Sequence, residues 1–312
     1  MRAMIVAAGL GTRLRPFTEL RPKPALPLRG VPLIAYTLAL LRHHGVDEVV
    51  VNTHHLPELL EATARAHCPP GLSLRFSREA ELLDTGGGIR RVAAFLRESD
   101  PALLVGGDMW IDADLTALVA GHRERDDAIS MLLREDAREA EFGSVGVDAE
   151  GRVRRIGSRF DLGGESRAGV YTWVNAVSPR AFDALPDEEV FSHFDGWIWP
   201  LLERGARDIG GVFDPCLWEP VGTPQEYLAA NLTPPQLSYL DVDAHAKANG
   251  ARLERNCVIG AGATIEPGAR LDRVVVWDGE HVPANFRAEG GVFAGSRFYR
   301  IEVPPSVLDE TP

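Results

Sequence analysis

The sequence predicts an α/β protein in which a mostly parallel sheet carries an antiparallel insertion and is followed by a short parallel β-helix. Three observations support this fold class. Short apolar runs alternate with helical patterns as far as residue 133, as in successive βαβ units. Short strand patterns separated by turns fill residues 143–227. Aliphatic residues then recur at every sixth position near the C-terminus, which is typical of parallel β-helices.

The alternating region comes first along the chain. Continuous apolar runs favour strands buried on both faces, and apolar residues at helical spacing favour the helices between them. The predicted strands are residues 4–8, 48–52, 72–76, 102–105 and 129–133. The predicted helices are residues 32–44, 56–66, 88–96 and 115–125. Because ligands of such Rossmann-like sheets bind beyond the carboxyl ends of the strands, chemistry is expected directly after residues 8, 76 and 105.

The pattern changes after Gly143. Strands are predicted at residues 144–147, 153–156 and 170–176, and helices at about 179–185 and 197–204. Short strands interrupted by turns indicate an antiparallel layer beside the main sheet. This layer completes a first predicted domain, residues 1–231.

A proline-rich segment and a regular repeat follow the first domain. Residues 232–250 include Pro234-Pro235 and are predicted to be an irregular linker. Residues 251–312 are predicted to form a short left-handed β-helix and a tail, with an ordinary glycine-rich β tail as the alternative. The positions that carry the six-residue spacing are Leu253, Ile259, Ile265, Leu271 and Trp277.

Composition excludes several classes of protein. The chain is 45% hydrophobic and 25% charged, as in ordinary globular proteins rather than disordered ones. Its net charge of −12 argues against nucleic acid or an anionic membrane as a partner. Three cysteines without a CxxC pair argue against a disulfide framework and a zinc site. The first apolar run is too short for a membrane span or a signal sequence, so a cytoplasmic location is expected.

A basic, glycine-rich loop follows the first predicted strand. Residues 8–16 read Ala-Gly-Leu-Gly-Thr-Arg-Leu-Arg-Pro, and Arg21-Pro22-Lys23-Pro24 comes shortly after. Glycines let backbone N–H groups converge on an anion, and arginine and lysine side chains bind phosphate oxygens. This segment of an acidic chain therefore predicts a polyphosphate site, with a solvated basic loop as the alternative.

Two other predicted strands also end in glycine-rich segments. Gly86 and Gly87 open a predicted helix, where bare backbone permits close approach of a planar base, although the glycines could serve a turn alone. Asp108 follows Gly106-Gly107. A carboxylate at a strand end beside a phosphate site is a natural Mg²⁺ ligand, and the alternative is an aspartate that caps a turn.

Taken in order, these motifs resemble the signature of the sugar-1-phosphate nucleotidylyltransferases, the NDP-sugar pyrophosphorylases. The resemblance covers about residues 1–231, and the hexapeptide tail is similar to the C-terminal β-helix of many members. The matching segments are Gly9-Leu10-Gly11-Thr12-Arg13-Leu14-x-Pro16, Pro22-Lys23-Pro24, Leu83-Asp84-Thr85-Gly86-Gly87-Gly88, Gly106-Gly107-Asp108, Phe142-Gly143-x-Val145, Ser178-Pro179 and Val221-Gly222-Thr223-Pro224-x-x-Tyr227.

The resemblance implies an activity, its substrates and the residues that serve them. In this family the sugar-1-phosphate oxygen attacks the α-phosphorus of an NTP, pyrophosphate leaves, and Mg²⁺ assists. By position, Arg13 would hold the departing pyrophosphate, Lys23 the α-phosphate and Asp108 the metal. The implied nucleotide contacts are Ala8, Gly9, Gly11, Thr12, Gly86 and Gly87.

Two departures from the family pattern affect the metal and the sugar. Pro220 occupies the usual place of a second metal aspartate, and the adjacent Glu219 should point to the opposite face of a strand unless a bulge redirects it. The family's E-K-P element is not visible around residues 155–168, where Arg159 or Arg167 could replace the lysine.

Three sugar contacts are then expected from position. Gly143 belongs to the Phe-Gly motif, and Glu165 could replace the missing glutamate. The Ser178-Pro179 anchor aligns Trp173-Val174-Asn175 with the family's G-[IV]-Y, although Gly169-Val170-Tyr171 imitates that motif upstream, and Asn175 follows from the anchor.

The resemblance also suggests substrates. A basic loop combined with a hexapeptide tail is similar to mannose-1-phosphate guanylyltransferases. The Thr-Gly-Gly-Gly and Gly-Asp-Met-Trp segments are similar to uridylyltransferases that act on N-acetylmuramate or hexose 1-phosphate. Because Pro220 replaces the aspartate, a non-catalytic nucleotide-sugar-binding subunit is a further alternative. A homo-oligomer assembled through the β-helix is also expected.

Overall fold

The structure is a computed structural model that describes residues 1–254 and 256–302. Strands and helices alternate through residue 134, as predicted. In chain order these elements are β1 (Arg2–Val6), α1 (Phe17–Leu20), β2 (Pro27–Leu28), β3 (Val31–Pro32), α2 (Leu33–His43), β4 (Glu48–Thr53), α3 (Pro57–Ala66), β5 (Ser73–Arg78), α4 (Asp84–Leu96), β6 (Ala102–Gly106), β7 (Met109–Asp112), α5 (Leu115–Glu124) and β8 (Ile129–Arg134).

Shorter elements follow in the second part of the chain. Across the described ranges, every helix is too short or too polar to cross a lipid bilayer. These elements are α6 (Glu139–Phe142), β9 (Val145–Val147), β10 (Val153–Ile156), β11 (Phe160–Asp161), β12 (Arg167–Val177), α7 (Trp199–Glu203), β13 (Ile209–Phe213), β14 (Leu217–Pro220), α8 (Pro224–Leu232) and α9 (Val242–Ala248).

One large mixed sheet forms the centre of the molecule. Its parallel half has the strand order β6-β1-β4-β5. β12 lies antiparallel to both β6 and β8, and β8 is parallel to β13. β9, β10 and β11 continue from the first half of β12 as an antiparallel layer. The predicted Rossmann-like α/β architecture with an antiparallel insertion is therefore confirmed.

Side-chain alternation along β1 places apolar residues on both faces of the sheet. Ala3 and Ile5 enter an apolar cluster that α2, α3 and α5 also join. Met4 enters a second cluster with α4. All three side chains are fully buried. Burial on both faces fixes β1 between its neighbours, so the loop that leaves its carboxyl end starts from a rigid point.

Some predicted elements differ from the observed ones. β1 ends at Val6, so the following loop begins two residues earlier than predicted. The helix predicted at 179–185 is a 3₁₀ helix, Pro179–Ala184, and the one predicted at 197–204 is a π-helix, Phe194–Ile198, continued by α7. Residues 232–250, predicted to be irregular, contain α9, which begins at an N-cap provided by the Asp241 side chain. Such a cap satisfies a free backbone N–H and starts a helix even beside prolines.

The C-terminal part is built from stacked parallel ladders. Register partners such as Val258, Val275 and Val292 lie 17 residues apart, so each layer uses 17 residues. The first and last strands close the ladder in antiparallel orientation. The strands are β15 (Arg252–Glu254), β16 (Cys257–Ile259), β17 (Thr264–Ile265), β18 (Arg270–Val276), β19 (His281–Val282), β20 (Arg287–Ala294) and β21 (Arg297–Arg300).

Candidate active site

A cavity of about 330 Å³ opens beyond the carboxyl ends of β1 and β6, where the sequence predicts chemistry. We call it the loop cavity, because the segment between β1 and β2 supplies most of its wall. Ala8 is buried and lies outside the lining. The lining residues are Val6, Ala7, Gly9, Gly11, Thr12, Arg13, Leu14, Lys23, Pro24, Thr85, Gly106, Asp108, Trp173 and Gly222.

The loop folds back on itself at Gly11. This glycine has φ +61°, and a Cβ added to it would lie 2.9 Å from the Thr18 Cγ2 atom and 3.3 Å from the Lys23 Cβ atom. The Thr18 hydroxyl donates a hydrogen bond to the Gly11 carbonyl oxygen at 3.0 Å. Only glycine combines this left-handed backbone with so little space. The fold of the loop therefore brings the Lys23 segment against the start of the loop.

Lys23 is a buried cation at the wall of the loop cavity. Its Nζ donates to the Asp108 Oδ2 atom at 2.9 Å. The lysine is 8% exposed, whereas the Asp108 side chain is 51% exposed. A buried ammonium requires a charged or polar partner, and this partner is itself open to solvent. The pair thus places a positive and a negative group at the point where a phosphate chain and a cation could bind.

Arg13 also lines the loop cavity, beside the start of α8. A Cβ on Gly222 would lie 3.1 Å from the Arg13 Nη2 atom, so the bare glycine lets the guanidinium approach. The Gly222 and Thr223 N–H groups donate to Glu226 Oε2 at 2.5 and 2.9 Å. Thr223 and Glu226 form the capping box that begins α8. The Val-Gly-Thr segment therefore begins α8 and also lines the loop cavity through Gly222.

The other two cations of the basic segment point elsewhere. Arg15 is exposed and lies 3.6 Å from Glu19. Arg21 makes a bidentate ion pair with Asp278 in the C-terminal part, at 2.6 and 3.0 Å. Of the four predicted phosphate-binding cations, two line the cavity, because the loop's 3₁₀ and α turns send the others outward.

The structure does not support Gly86 and Gly87 as base contacts. Their N–H groups donate to the Phe191 carbonyl oxygen at 2.8 and 3.2 Å. A Cβ on Gly86 would lie 2.3 Å from the Phe191 ring, and one on Gly87 would lie 2.0 Å from the Glu189 carbonyl oxygen. The bare backbone admits the segment before α7 rather than a ligand. Thr85, which sequence reasoning did not select, is the residue of this turn that lines the loop cavity.

A second cavity of about 520 Å³ adjoins the first. We call it the aromatic cavity, because six of its lining residues are tyrosine, tryptophan or phenylalanine. Trp173 lines both cavities and therefore forms their boundary. The other lining residues are Phe142, Gly143, Ser144, Val145, Ile156, Gly157, Ser158, Arg159, Tyr171, Ser192, Phe194, Asp195, Trp199 and Trp218.

Trp173 owes its position to an irregular strand. It has φ +61° within β12, and the pairing of β12 with β8 shifts register between Tyr171 and Asn175. A tryptophan in the left-handed region is unusual and strained, whereas glycine adopts this conformation freely. The Ser178-Pro179 anchor puts Trp173 at the position of the family's glycine. The observed backbone is the one that a glycine would favour, which supports the Ser178-Pro179 register.

His193 packs behind this boundary and connects it to the first cavity. The His193 backbone N–H donates to the Thr85 hydroxyl oxygen at 3.0 Å, and the ring Nδ1 atom lies 2.8 Å from the same oxygen. Its ring centroid is 4.5 Å from that of Trp173. Burial lowers the pKa of the His193 imidazole to about 3, so the ring is neutral at physiological pH. The neutral His193 ring therefore contacts both Thr85 and Trp173 and fixes their relative positions.

The predicted sugar contacts are placed differently from one another. Gly143 lines the aromatic cavity. Glu165 accepts from the Arg155 Nε at 2.7 Å and lies outside the lining. Asn175 is buried, and its amide donates to the Tyr171 hydroxyl. Among the three, only the Phe-Gly motif reaches the cavity directly.

Arg159 is the better placed of the two arginines proposed to replace the family lysine. It lines the aromatic cavity, is 72% exposed, and lies 4.7 Å from the Trp199 ring and 3.4 Å from Asp195. Arg167 instead pairs with Glu135 and lies over the Phe213 ring. The structure therefore distinguishes two residues that the sequence left open.

Glu219 does not join Asp108. β14 pairs with β7 in regular register, with Glu219 opposite Trp110 and Pro220 opposite Met109, so no bulge redirects the side chain. Glu219 accepts from the Arg138 Nη1 at 3.0 Å and lines a different cavity. Within the described residues no group of three metal-binding side chains occurs. The suggested role of Glu219 as a metal ligand is not supported by this geometry.

Comparison with known proteins places this arrangement in a family. A family model described as Nucleotidyl transferase matches residues 2–236. The chain is 32% identical over 299 residues to a mannose-1-phosphate guanylyltransferase of Mycobacterium tuberculosis, covering 90% of this chain and 81% of that protein. It is 40% identical over 228 residues to an N-acetylmuramate alpha-1-phosphate uridylyltransferase of Neisseria meningitidis, covering 72% of this chain and 94% of that protein.

A solved structure shares the fold. HddC from Yersinia pseudotuberculosis complexed with GMP-PN superposes with a TM-score of 0.61 at 20% sequence identity, covering 72% of this chain and 96% of that one. The family match spans β1, the loop cavity and the aromatic cavity. The chain belongs to the nucleotidyl transferase family and is a nucleotidyltransferase.

Proposed function

We propose that this enzyme transfers a nucleotidyl group from an NTP to a sugar 1-phosphate and releases pyrophosphate. One observation carries the proposal: Trp173 separates a cavity with a buried lysine from a cavity walled by aromatic rings. The first suits a triphosphate, because fixed cations and backbone donors bind phosphate oxygens. The second suits a sugar ring, because ligand sites combine an apolar wall with a few placed polar groups.

The proposed reaction is a nucleotidyl transfer, a substitution at the α-phosphorus. A phosphate oxygen of the sugar 1-phosphate attacks the α-phosphorus, a new P–O bond forms, and pyrophosphate leaves with the electron pair of the broken bond. Such reactions depend on alignment and fixed positive charge. Lys23 would neutralise charge on the α-phosphate and Arg13 would bind the leaving pyrophosphate. The loop at Gly9, Gly11 and Thr12 would supply backbone donors.

The donor set fits Mg²⁺ as a cofactor. Mg²⁺ in such sites binds one or two carboxylates together with substrate phosphates and water. Asp108 offers a half-exposed carboxylate in the loop cavity, with one oxygen bonded to Lys23. We assign the metal to this single carboxylate. Bound there, Mg²⁺ would neutralise charge on the phosphate oxygens.

A metal titration tests this assignment. Asp108→Asn should raise the Mg²⁺ concentration needed for half-maximal pyrophosphate release at least about ten-fold. Asp112→Asn is the matched control, because Asp112 ends β7, the strand that directly follows Asp108, but accepts from Ser238 instead. An unchanged Mg²⁺ requirement in Asp108→Asn would remove this residue from the metal site.

Two substrate pairs follow from the relatives. GTP with mannose 1-phosphate is the leading pair, because the relative named for that reaction aligns through the C-terminal strands as well. UTP with N-acetylmuramate 1-phosphate is the second, because relatives named for it have higher identity, 36% and 40%, across the part that holds both cavities.

The sugar side is proposed to use Gly143 and Arg159 directly. Arg159 would take the place of the family lysine at the sugar phosphate. Glu165 would act through Arg155, which also donates to Ser144 in the cavity wall. Asn175 would act through the Tyr171 hydroxyl that it holds.

Pyrophosphate release with purified protein and Mg²⁺ tests the proposal, using the four NTPs and a panel of sugar 1-phosphates. We expect one NTP and one sugar to give turnover. Tight binding of a nucleotide sugar without turnover would contradict the proposal and favour the non-catalytic subunit.

The C-terminal part is proposed to be a short left-handed parallel β-helix. The six-residue pattern and the stacked 17-residue layers support this assignment. A homo-oligomer and a cytoplasmic location complete the proposal for the whole chain. Light scattering of the native particle tests the oligomer, since a mass equal to that of one chain would contradict it.

A further inference from the structure

Arg21 belongs to the basic segment but binds the C-terminal part of the molecule. Its Nη1 and Nη2 atoms donate to the Asp278 oxygens Oδ1 and Oδ2 at 2.6 and 3.0 Å. Its guanidinium carbon lies 4.8 Å from the centroid of the Trp277 ring. A bidentate pair with a ring below it holds an arginine in one orientation. Arg21 is therefore a fixed connection between the loop and β18's carboxyl end.

Buried aromatic contacts make a second connection a few residues earlier. Phe17 is fully buried, with ring centroids 5.4 Å from Tyr227, 5.9 Å from Trp277 and 5.5 Å from Tyr299. Trp277, which directly follows β18, and Tyr299, in β21, belong to the C-terminal part. Residue 17 is therefore held by the C-terminal part on one side and by α8 on the other.

A hydrogen-bonded chain makes the third connection, just after the lysine. The Trp277 Nε1 donates to the Tyr227 hydroxyl at 2.9 Å, and that hydroxyl donates to the Pro27 carbonyl oxygen at 2.6 Å. All three groups are buried. Lys23 thus lies in a segment that is fixed at residues 17, 21 and 27, and every connection reaches Trp277 directly or through one residue.

We infer that the C-terminal strands position the phosphate-binding loop, and that Arg21 and Asp278 are positioning residues for the NTP. The inference rests on the proposed function, since it takes the loop cavity as the triphosphate site. Fixing the loop before the ligand arrives removes an ordering cost from binding. It also keeps Lys23 aligned with the Asp108 carboxylate, and small displacements of charged groups are costly in phosphoryl transfer.

A double-mutant cycle tests the inference. Arg21→Met, Asp278→Asn and the double variant should each raise the KM for the NTP about five-fold, the size expected for a partly exposed ion pair. The double variant should be no worse than either single variant, because all three lose the same pair. The KM for the sugar 1-phosphate should stay unchanged, whereas general loss of structure would alter both values.

A second ion pair offers a matched control. Arg29 binds Asp243 in the same bidentate manner, at 2.8 and 3.3 Å. Its side chains are 13% and 46% exposed, compared with 24% and 45% for Arg21 and Asp278. This pair connects the turn after β2 to α9, away from the lining of the loop cavity. Arg29→Met and Asp243→Asn should leave the KM for the NTP unchanged.

Four outcomes would overturn the inference. An effect of Arg21→Met without an effect of Asp278→Asn would show that Arg21 contacts the nucleotide itself. Equal effects in the control pair would show a general loss of stability, which thermal unfolding of each variant measures directly. An NTP that binds wild type and all variants equally in calorimetry would leave the proposed function standing and reject the positioning role. Absence of NTP binding by the wild type would reject both.

Discussion

The loop cavity and the aromatic cavity share one residue, Trp173, and differ in how they are built. The loop cavity takes most of its wall from one segment between two strands, with backbone groups and a buried cation. The aromatic cavity collects side chains from five separate segments between residues 142 and 218. One segment of the chain therefore supplies most of the loop cavity, whereas tertiary structure assembles the aromatic cavity from residues that are distant in the sequence.

Lys23→Arg should have the largest effect, and it changes the loop cavity alone. The lysine is 8% exposed and touches Asp108, so the larger guanidinium cannot occupy its position without moving the loop. We expect kcat to fall about 100-fold, as when one preorganised donor is lost from a transition state. Pyrophosphate release measures the change.

The other lysine of the chain provides the control. Lys247 is exposed on α9, so Lys247→Arg should leave kcat unchanged. Full activity in Lys23→Arg would mean that the ammonium takes no part in the reaction, and the loop cavity would lose its principal cation.

Gly86→Ala should destabilise the packing of α4 against the segment that contains Phe191. The new methyl would lie 2.3 Å from the Phe191 ring and 2.8 Å from its carbonyl oxygen, and such overpacking costs about 1–3 kcal/mol in the free energy of unfolding. Chemical denaturation measures that cost. A variant that folds normally but loses affinity for the NTP would instead restore Gly86 as a base contact.

Burial of His193 should make the free energy of unfolding depend on pH. Its pKa is about 3 in the folded state, against 6.5 for a free imidazole, because burial disfavours the charged form. Its contribution is therefore complete above pH 6.5 and is lost as the pH falls towards 3, because the unfolded chain binds the proton first. Between pH 7 and pH 5 we expect a loss of about 2 kcal/mol.

Comparison with a variant that cannot titrate isolates this effect. The free energy of unfolding of His193→Gln should change less between the two pH values than that of the wild type. Equal changes in both proteins would show that His193 accepts its proton within the folded state.

Arg159→Met should have the smallest effect and should be confined to the sugar. The guanidinium is 72% exposed, so its interactions are screened by solvent, and we expect the KM for the sugar 1-phosphate to rise about five-fold. Arg167→Met is the control, because that arginine pairs with Glu135 outside the cavity. A rise in the KM for the NTP instead would show that Arg159 acts on the nucleotide and not on the sugar.

Much of the fold and of the loop cavity could be predicted from the sequence. Buried strands, helix spacing and the glycine-lysine segment act over short stretches of chain, so β1 and the placement of Gly11, Arg13, Lys23 and Asp108 follow from local patterns. The direction of Arg21 does not, because its partner Asp278 is 257 residues away.

The aromatic cavity shows what local patterns leave out. A tryptophan such as Trp199 or Trp218 is usually interpreted as a core residue. No neighbouring residue in the sequence indicates that the two share a cavity with Arg159. The contacts of Gly86 could not be predicted for a related reason. A glycine pattern reports a close approach but not the approaching group, and here that group is the backbone at Phe191.

The cluster around Phe17 has a consequence for how this enzyme can be recombined. Phe17, Leu28 and Tyr227 share one apolar cluster with Val275, Trp277 and Val292. The relative from Neisseria meningitidis aligns over 228 residues, which is 94% of its length. In this chain the C-terminal strands therefore share an apolar core with the first part of the molecule. A chimera that joins that relative to the C-terminal strands of this chain therefore needs side chains at this contact that pack against Val275, Trp277 and Val292.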